Sequence, residues 1–450
     1  YVPNHTSDEH PWFEASRSSR DNDKRSWYVW RDPKPDGSPP NNWLSVFGGS
    51  AWEYDETTGQ YYLHSFVAKQ PDLNWDNPAV RSAMMDVLRF WLSLGVDGIR
   101  ADAVRWISKD ADFQDNPINP KYRDGEDPYH AQLQRYSRYG SKLFAYLKEM
   151  ADVVEEYQDS IILFEDYLDQ YMDKREQYCN FYAVNPRIAA PFNFDGMSMP
   201  YSASAFRKYI DDFQKIIGNE LRPFYCFSNH DQMRLATRFG ASQARLIALL
   251  QLTLPGIPVI YYGDEIGMRN VEIPPEMVHD PFEKLTPGLG LGRDPERTPM
   301  QWTSDAYAGF STHATWLPVS KDYAVNNVQS ENLDEHSTLS YYRKLLALRR
   351  SSAIQVGIYE EWAGSSDDVF GYIRRGEHDA LLILLNMSDN EITCHDVEGE
   401  VLYSTHDAIE MQHGERNSIV LQEHQGVVVQ LLTIGTPVGS HRDAGKLLAN

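Results

Sequence analysis

Two carboxylates in this chain carry residue types and neighbours that suit opposite ends of one reaction. The first is Asp102, within Gly95-Val96-Asp97-Gly98-Ile99-Arg100-Ala101-Asp102-Ala103-Val104. Val96 to Val104 reads as a short buried strand opened by glycine, and strand side chains alternate faces, so Arg100 and Asp102 point the same way. A cation beside that carboxylate favours its ionised form, which a carboxylate nucleophile needs at neutral pH. An ion pair at a strand end also serves structure alone, and this stretch by itself leaves both readings open. The second carboxylate is Glu165, which closes the apolar run Ile161-Ile162-Leu163-Phe164. Burial there disfavours the charged form, as a general acid requires. An ionised Asp102 with a protonated Glu165 meets the requirement of retaining glycoside hydrolysis. In that reaction one carboxylate attacks the anomeric carbon while the other protonates the leaving oxygen and later activates water.

The elements that must position these residues follow one grammar: a helix, a short apolar strand, then a polar residue at the strand's C-terminal end. Pro78 to Leu94 has helical periodicity, with Val80, Met84, Val87, Leu88 and Trp91 on one face, Pro78 near its start and Gly95 at its end. It feeds the Asp102 strand. A helix from about Leu133 to Tyr157 precedes the Glu165 strand. The pattern recurs at Ile188 to Phe194 and at Pro223 to Phe227, which runs into Ser228-Asn229-His230-Asp231. It recurs again after a helix over Ser242 to Leu252, at Ile257 to Tyr262. Alternating helices and strands predict a parallel sheet covered by helices, and polar residues at strand C-termini are what a (β/α)8 barrel gathers at its active face. Asp231 is then a third carboxylate at that face, and His5 and His230 end two other strands. A single His is more often structural; three acids, two His and an Arg at strand ends form a constellation.

The predicted organisation is α/β, a (β/α)8 TIM barrel, N-terminally incomplete, with an inserted loop-rich subdomain and a C-terminal antiparallel β domain. Residues 1–3 end a barrel strand. Residues 4–77, rich in turn signals such as Gly48-Gly49 and Thr57-Thr58-Gly59, form the inserted subdomain. Residues 78–352 continue the barrel and include a long loop-rich stretch from Val271 to about Asp334 and an amphipathic helix from Ser337 to Arg350. Residues 353–434 alternate like an antiparallel β-sandwich, and 435–450 read as a loosely ordered tail.

At 450 residues the chain exceeds a single core of about 250–300 residues. Its formal charge of -23 argues against nucleic acid or an anionic membrane as partner and is compatible with a neutral substrate. Three distant cysteines, Cys179, Cys226 and Cys394, suggest neither a disulfide framework nor a zinc site, and favour a cytoplasmic location. The longest apolar tract, Leu246 to Tyr262, is broken by Gln251, Pro255, Gly256 and Pro258 and is no membrane span. Asp21-Asn22-Asp23 lacks the ligand series of an EF-hand, so no metal is assigned.

The ordered motifs Val2-Pro3-Asn4-His5, Gln70-Pro71-Asp72-Leu73-Asn74-Trp75, Gly98-Ile99-Arg100-Ala101-Asp102, Phe164-Glu165, Ser228-Asn229-His230-Asp231-Gln232 and Arg297-Thr298-Pro299-Met300-Gln301-Trp302 resemble the α-amylase family, glycoside hydrolase family 13, in its α-glucosidase and oligo-1,6-glucosidase branch. The resemblance implies that Asp102 is the nucleophile, Glu165 the acid/base, and Asp231 the stabiliser of the distorted, oxocarbenium-like sugar. It further implies that His5, Arg100, His230 and Arg297 bind the −1 glucose, and that Phe47 and Phe66 wall its pocket. In this branch Val after the nucleophile accompanies α-1,6 preference and Thr or Ala accompanies α-1,4. Ala103 therefore implies α-1,4 over α-1,6, a discrimination worth only about 1–3 kcal/mol.

The implied activity is exo-acting, retaining hydrolysis of disaccharides and short oligosaccharides. Transglycosylating and sugar-isomerising relatives share the same residues. Non-catalytic relatives, the heavy chains of amino-acid transporters, carry a membrane helix and degraded acids that are not found here. By strand count the sequence supplies the last five or so of eight barrel strands, so an inactive, sugar-binding barrel is a rival expectation. No cofactor is expected within the chain; the family's structural Ca2+ or Mg2+ belongs to the segment before its third strand.

Overall fold

The computed structural model describes residues 1–169, 172–406, 410–412 and 417–432; the tail expected from Gly435 lies outside the described residues. The chain divides into two compact units, Tyr1–Phe192 with Val278–Gly292, and Asn193–Met277 with Arg293–Asn450.

In the first unit the helix Pro78–Ser93 begins where the sequence says it should. Asn77 caps it by accepting from the Ala79 N–H, proline occupies its first turn, and the chain leaves through Gly95 at φ 92°. It buries Val80, Met84, Met85, Leu88 and Leu92. Leu92 thus takes the inward place expected for Trp91, which stands 47% exposed. The strand that follows is Gly98–Ala101, shorter than the expected Val96 to Val104. It stops because Ala103 turns into the left-handed region (φ 49°, ψ 41°) and starts a 3-10 turn, Val104–Ile107.

The helix expected from Leu133 begins only at Leu143. Residues before it fold back instead, with the Leu133 N–H on the Pro117 carbonyl and Ile118 bridging Gln132. Gly140 ends that excursion so close to Lys109 that a Cβ would lie 2.4 Å from its carbonyl oxygen. The helix Leu143–Glu155 leads to the strand Ile161–Phe164, which pairs in parallel with Gly98–Ala101, Ala101 opposite Phe164. Ile162 to Phe164 pairs onward with Ala189 to Pro191, also in parallel.

The expected subdomain is less irregular than its sequence suggests. It carries the helix Pro11–Ser18 and a three-stranded antiparallel sheet in the order Trp30–Arg31, Gln60–Leu63, Trp52–Asp55. Val29, Trp43, Ala51, Trp52 and Leu63 form its core, and Phe113 stacks on Trp43 at 5.2 Å.

In the second unit Phe224–Cys226 pairs in parallel with Ile257–Val259. That second strand ends three residues earlier than expected, and Ile257 is 39% exposed instead of buried. The helices Ala203–Ile217, Ala241–Thr253 and Thr338–Leu348 belong to this unit, the last capped by Ser337. Beyond them lie two antiparallel sheets. One has the strand order Gly399–Ser404, Gly426–Leu431, Ala380–Asn386, Val369–Arg375, Ile358–Glu361; the other has Ile392–His395, Ser418–Leu421, Glu410–Gln412. Leu382, Leu384, Val427 and Val429 of the first pack with Cys394, Ile419 and Leu421 of the second. The described residues hold five parallel strands in all and no helix long and apolar enough to cross a membrane.

Candidate active site

In the first unit, register does the positioning. Because Ala101 pairs with Phe164, the next residues, Asp102 and Glu165, leave their strands side by side at the C-terminal ends. Two backbone bonds hold the exit: the Glu165 N–H donates to the Ala101 carbonyl at 2.9 Å, and the Asp102 N–H to the Tyr1 carbonyl at 2.9 Å. Arg100 then serves both acids. Its Nη1 donates to Asp102 Oδ1 at 2.8 Å and its Nη2 lies 3.0 Å from Glu165 Oε1. The same-face expectation for Arg100 and Asp102 is met, but the guanidinium is shared with Glu165, a contact that strand alternation alone does not reveal. Glu165 is 8% exposed, and its Oε2 accepts the Ala103 N–H at 2.8 Å. The left-handed turn at Ala103 thus aims a backbone donor at the buried carboxylate.

His5 lies against Phe66 at 5.3 Å, and Phe66 in turn packs on Phe47 at 5.7 Å and on Trp106 at 5.0 Å. Burial lowers the His5 pKa, with the carboxylates of Asp72 and Asp102 opposing, so the ring is neutral at neutral pH. A neutral imidazole offers one donor and one acceptor, the pattern of a sugar hydroxyl. The turn carrying His5 is fixed by Asp72, which is fully buried and accepts from Asn4 Nδ2 at 2.9 Å, the Ser65 N–H at 2.9 Å and Lys109 Nζ at 2.7 Å. This gives the Gln70 to Trp75 motif a physical purpose. Lys109 and Phe282, the latter 5.2 Å from Phe47, belong to the surroundings and were missed by sequence reasoning, since both reach the site from far along the chain.

In the second unit, Asp231 is held differently. Its Oδ1 accepts from Arg293 Nη1 at 2.9 Å and from Arg297 Nη2 at 3.0 Å, while Arg297 Nε donates to the His230 carbonyl at 2.8 Å. His230 Nε2 is 3.6 Å from the same Asp231 oxygen. The structure therefore joins His230, Asp231 and Arg297, as the sequence motifs imply, and adds Arg293. The i, i+4 repeat of arginines at 293 and 297 was the available signal. Behind them Arg234 is fully buried and donates to the Tyr262 carbonyl at 2.6 Å. Burial pushes the Asp264 carboxyl up to about 6, against the Ser228 hydroxyl and Arg234, which lower it.

The family description "Alpha amylase, catalytic domain" matches residues 1–357. The chain belongs to the alpha-amylase family. It is thereby a glycoside hydrolase, and its fold class is the (β/α)8 barrel of that family. Among curated proteins it is 36% identical over 431 residues to an oligo-1,6-glucosidase of Heyndrickxia coagulans, covering 87% of this chain and 76% of that protein. It is 36% identical over 413 residues to a probable alpha-glucosidase of Rhizobium meliloti, covering 87% and 73%. Among solved structures, the alpha-glucosyl transfer enzyme XgtA superposes with a TM-score of 0.86 at 31% identity, covering 95% of this chain and 81% of that one. The trehalulose synthase MutB of Pseudomonas mesoacidophila does so with a TM-score of 0.82 at 32% identity, covering 95% and 82%.

Proposed function

We propose that this family member is a retaining, exo-acting α-glucosidase of disaccharides and short oligosaccharides. The observation that carries the reading is the single Arg100 guanidinium holding Asp102 and Glu165 together. Retaining chemistry needs its two carboxyl groups close, about 5–5.5 Å apart, and a guanidinium bonded to both is what would draw them together. Asp102 attacks the anomeric carbon and forms the new C–O bond as the glycosidic bond breaks, and Glu165 delivers its proton to the departing oxygen. Glu165 then takes a proton from water, which attacks the same carbon, releases Asp102 and yields α-glucose. Asp231, oriented by its two arginines, stabilises the distorted, oxocarbenium-like sugar; His5, Arg100, His230 and Arg297 bind the glucosyl hydroxyls; Phe47 and Phe66 wall the pocket.

Linkage preference is read from Ala103 as α-1,4 over α-1,6. The relatives named oligo-1,6-glucosidase make this the sharpest part of the proposal. An NMR time course with maltose and, separately, isomaltose tests both parts. α-Glucose before β-glucose, and maltose faster than isomaltose, is the expected result. Early β-glucose overturns the retaining reading, and faster isomaltose cleavage overturns the linkage reading.

A second reading is transfer of the glucosyl group to a sugar instead of water, favoured by the likeness to XgtA and to the trehalulose synthase MutB. It shares every step up to the glycosyl-enzyme. New disaccharides in the same spectra would identify it.

A further inference from the structure

Arg293 and Arg297 flank one short turn, Asp294–Glu296, closed by the Arg297 N–H on the Asp294 carbonyl at 3.0 Å. Glu296 points the other way, into the protein, and is 4% exposed. Its Oε2 accepts from Asn270 Nδ2 at 3.1 Å. The other amide atom, Asn270 Oδ1, accepts the backbone N–H of Arg234 at 2.9 Å, three residues beyond Asp231, and the Asn270 N–H donates to Thr237 Oγ1 at 2.7 Å. The turn is also tied through its backbone, with the Tyr261 hydroxyl on the Glu296 carbonyl at 3.1 Å and the Val271 N–H on the Pro295 carbonyl at 3.0 Å. One side-chain amide thus connects the loop that presents Asp231 to the turn that carries both of its arginines.

We propose that Asn270 and Glu296 are positioning residues for the Asp231 clamp, setting the register of the arginine turn against the Asp231 loop and so the direction in which Asp231 meets substrate. The proposal deepens the reading of Asp231 as the charge-stabilising carboxylate and rests on it. Neither residue touches the reacting atoms. Their effect passes through Arg293 and Arg297, which is why misplacement is expected to fall on kcat more than on KM.

The charges around Glu296 make the bracket sensitive to pH. Burial pushes its carboxyl up to about 7 and Asp231 adds to that, while Arg297 and Arg234 pull it down. When the proton leaves, a buried charge appears on the turn that carries Arg293 and Arg297, at the carboxyl that Asn270 holds. The bracket is therefore best ordered while Glu296 is neutral, and part of the decline of kcat on the alkaline side belongs to Glu296.

The test is a set of variants of the full chain assayed with maltose across pH 5–9. Asn270→Ala and Glu296→Ala are expected to lose between about tenfold and 10²-fold in kcat with little change in KM. Glu296→Gln, a neutral isostere that still accepts from Asn270, is expected to recover most of that loss and to shift the alkaline limb of kcat upward. Either alanine variant combined with Asp231→Asn is expected to lose little beyond Asp231→Asn alone. A Glu296→Gln profile superimposable on the native one, or alanine variants that lose activity fully additively with Asp231→Asn, overturns the proposal. If instead Asp231→Asn itself leaves kcat intact, the reading of Asp231 is what has failed.

Discussion

The two units hold their carboxylates with arginine in opposite proportions. In the first, one guanidinium is divided between two acids, Asp102 and Glu165; in the second, two guanidinium groups converge on one oxygen of Asp231. Divided between two acids, a single cation leaves room for one of them to carry charge and the other to carry a proton, which is what a nucleophile and a general acid require. Two cations on one oxygen fix the direction of the carboxylate and lower its nucleophilicity, and such a group is suited to orienting a charged or distorted ligand and poorly suited to attack. On the proposed roles, the same pair of residue types serves different chemistry according to the ratio in which they meet.

The largest effect expected from breaking this contrast is at its anionic end. Asp102→Asn should lower kcat/KM by about 10⁴-fold or more with an unchanged thermal midpoint, because the proposed nucleophile is removed and the fold is not. Glu165→Gln should cost roughly 10²–10⁴-fold on maltose and much less on an aryl glucoside whose leaving group needs no proton. Similar losses on both substrates would show that Glu165 is not the acid. At the doubly paired end, Arg293→Ala or Arg297→Ala should cost about 10²–10³-fold in kcat, the size of losing one charge-directing donor. Arg293→Ala is the more informative, since Arg293 belongs to none of the motifs that identify the family.

Smaller effects sharpen the local geometry. Ala103→Val places a β-branched residue in the left-handed region at φ 49° and should destabilise the fold by about 1–3 kcal/mol in denaturant unfolding, whatever it does to linkage preference. Glu296 supplies the smallest effect and a defined sign. Its carboxyl is raised from 4.5 to about 7 by burial, so the folded chain holds this proton more tightly than the unfolded chain does. Its contribution to stability is present at acid pH and is lost as pH rises from 4.5 to 7. Glu296→Gln should flatten that slope and raise the thermal midpoint at pH 8 relative to the native chain.

Much of the first unit's site was legible because local rules and register act together there. Proline and Asn77 start the helix before Asp102, Gly95 ends it, and two short apolar runs end in acids that the parallel pairing then sets side by side. The inward choice of Leu92 over Trp91 was not legible, because Met84-Met85, Val87-Leu88 and Trp91-Leu92 offer two overlapping helical stripes and period alone does not choose between them. The late start at Leu143 was hidden for a different reason. Residues 133–142 satisfy their backbone through contacts with the preceding loop, including the Leu133 bond to Pro117, and such pairings between loops carry no periodicity. Arg293 sits in a glycine-rich connection where periodicity is silent, and Phe282 reaches Phe47 across a long stretch of chain.

The most direct measurement of the central claim is to trap the glycosyl-enzyme. The full chain is incubated with 5-fluoro-α-glucosyl fluoride, a substrate that acylal-forming carboxylates attack quickly and water releases slowly, and the labelled peptide is sequenced by mass spectrometry. The account predicts one added fluoroglucosyl unit per chain, located on Asp102 and absent from Asp102→Asn. A label on Asp231 or Glu165, or turnover of the reagent with inversion and no covalent adduct, would contradict it.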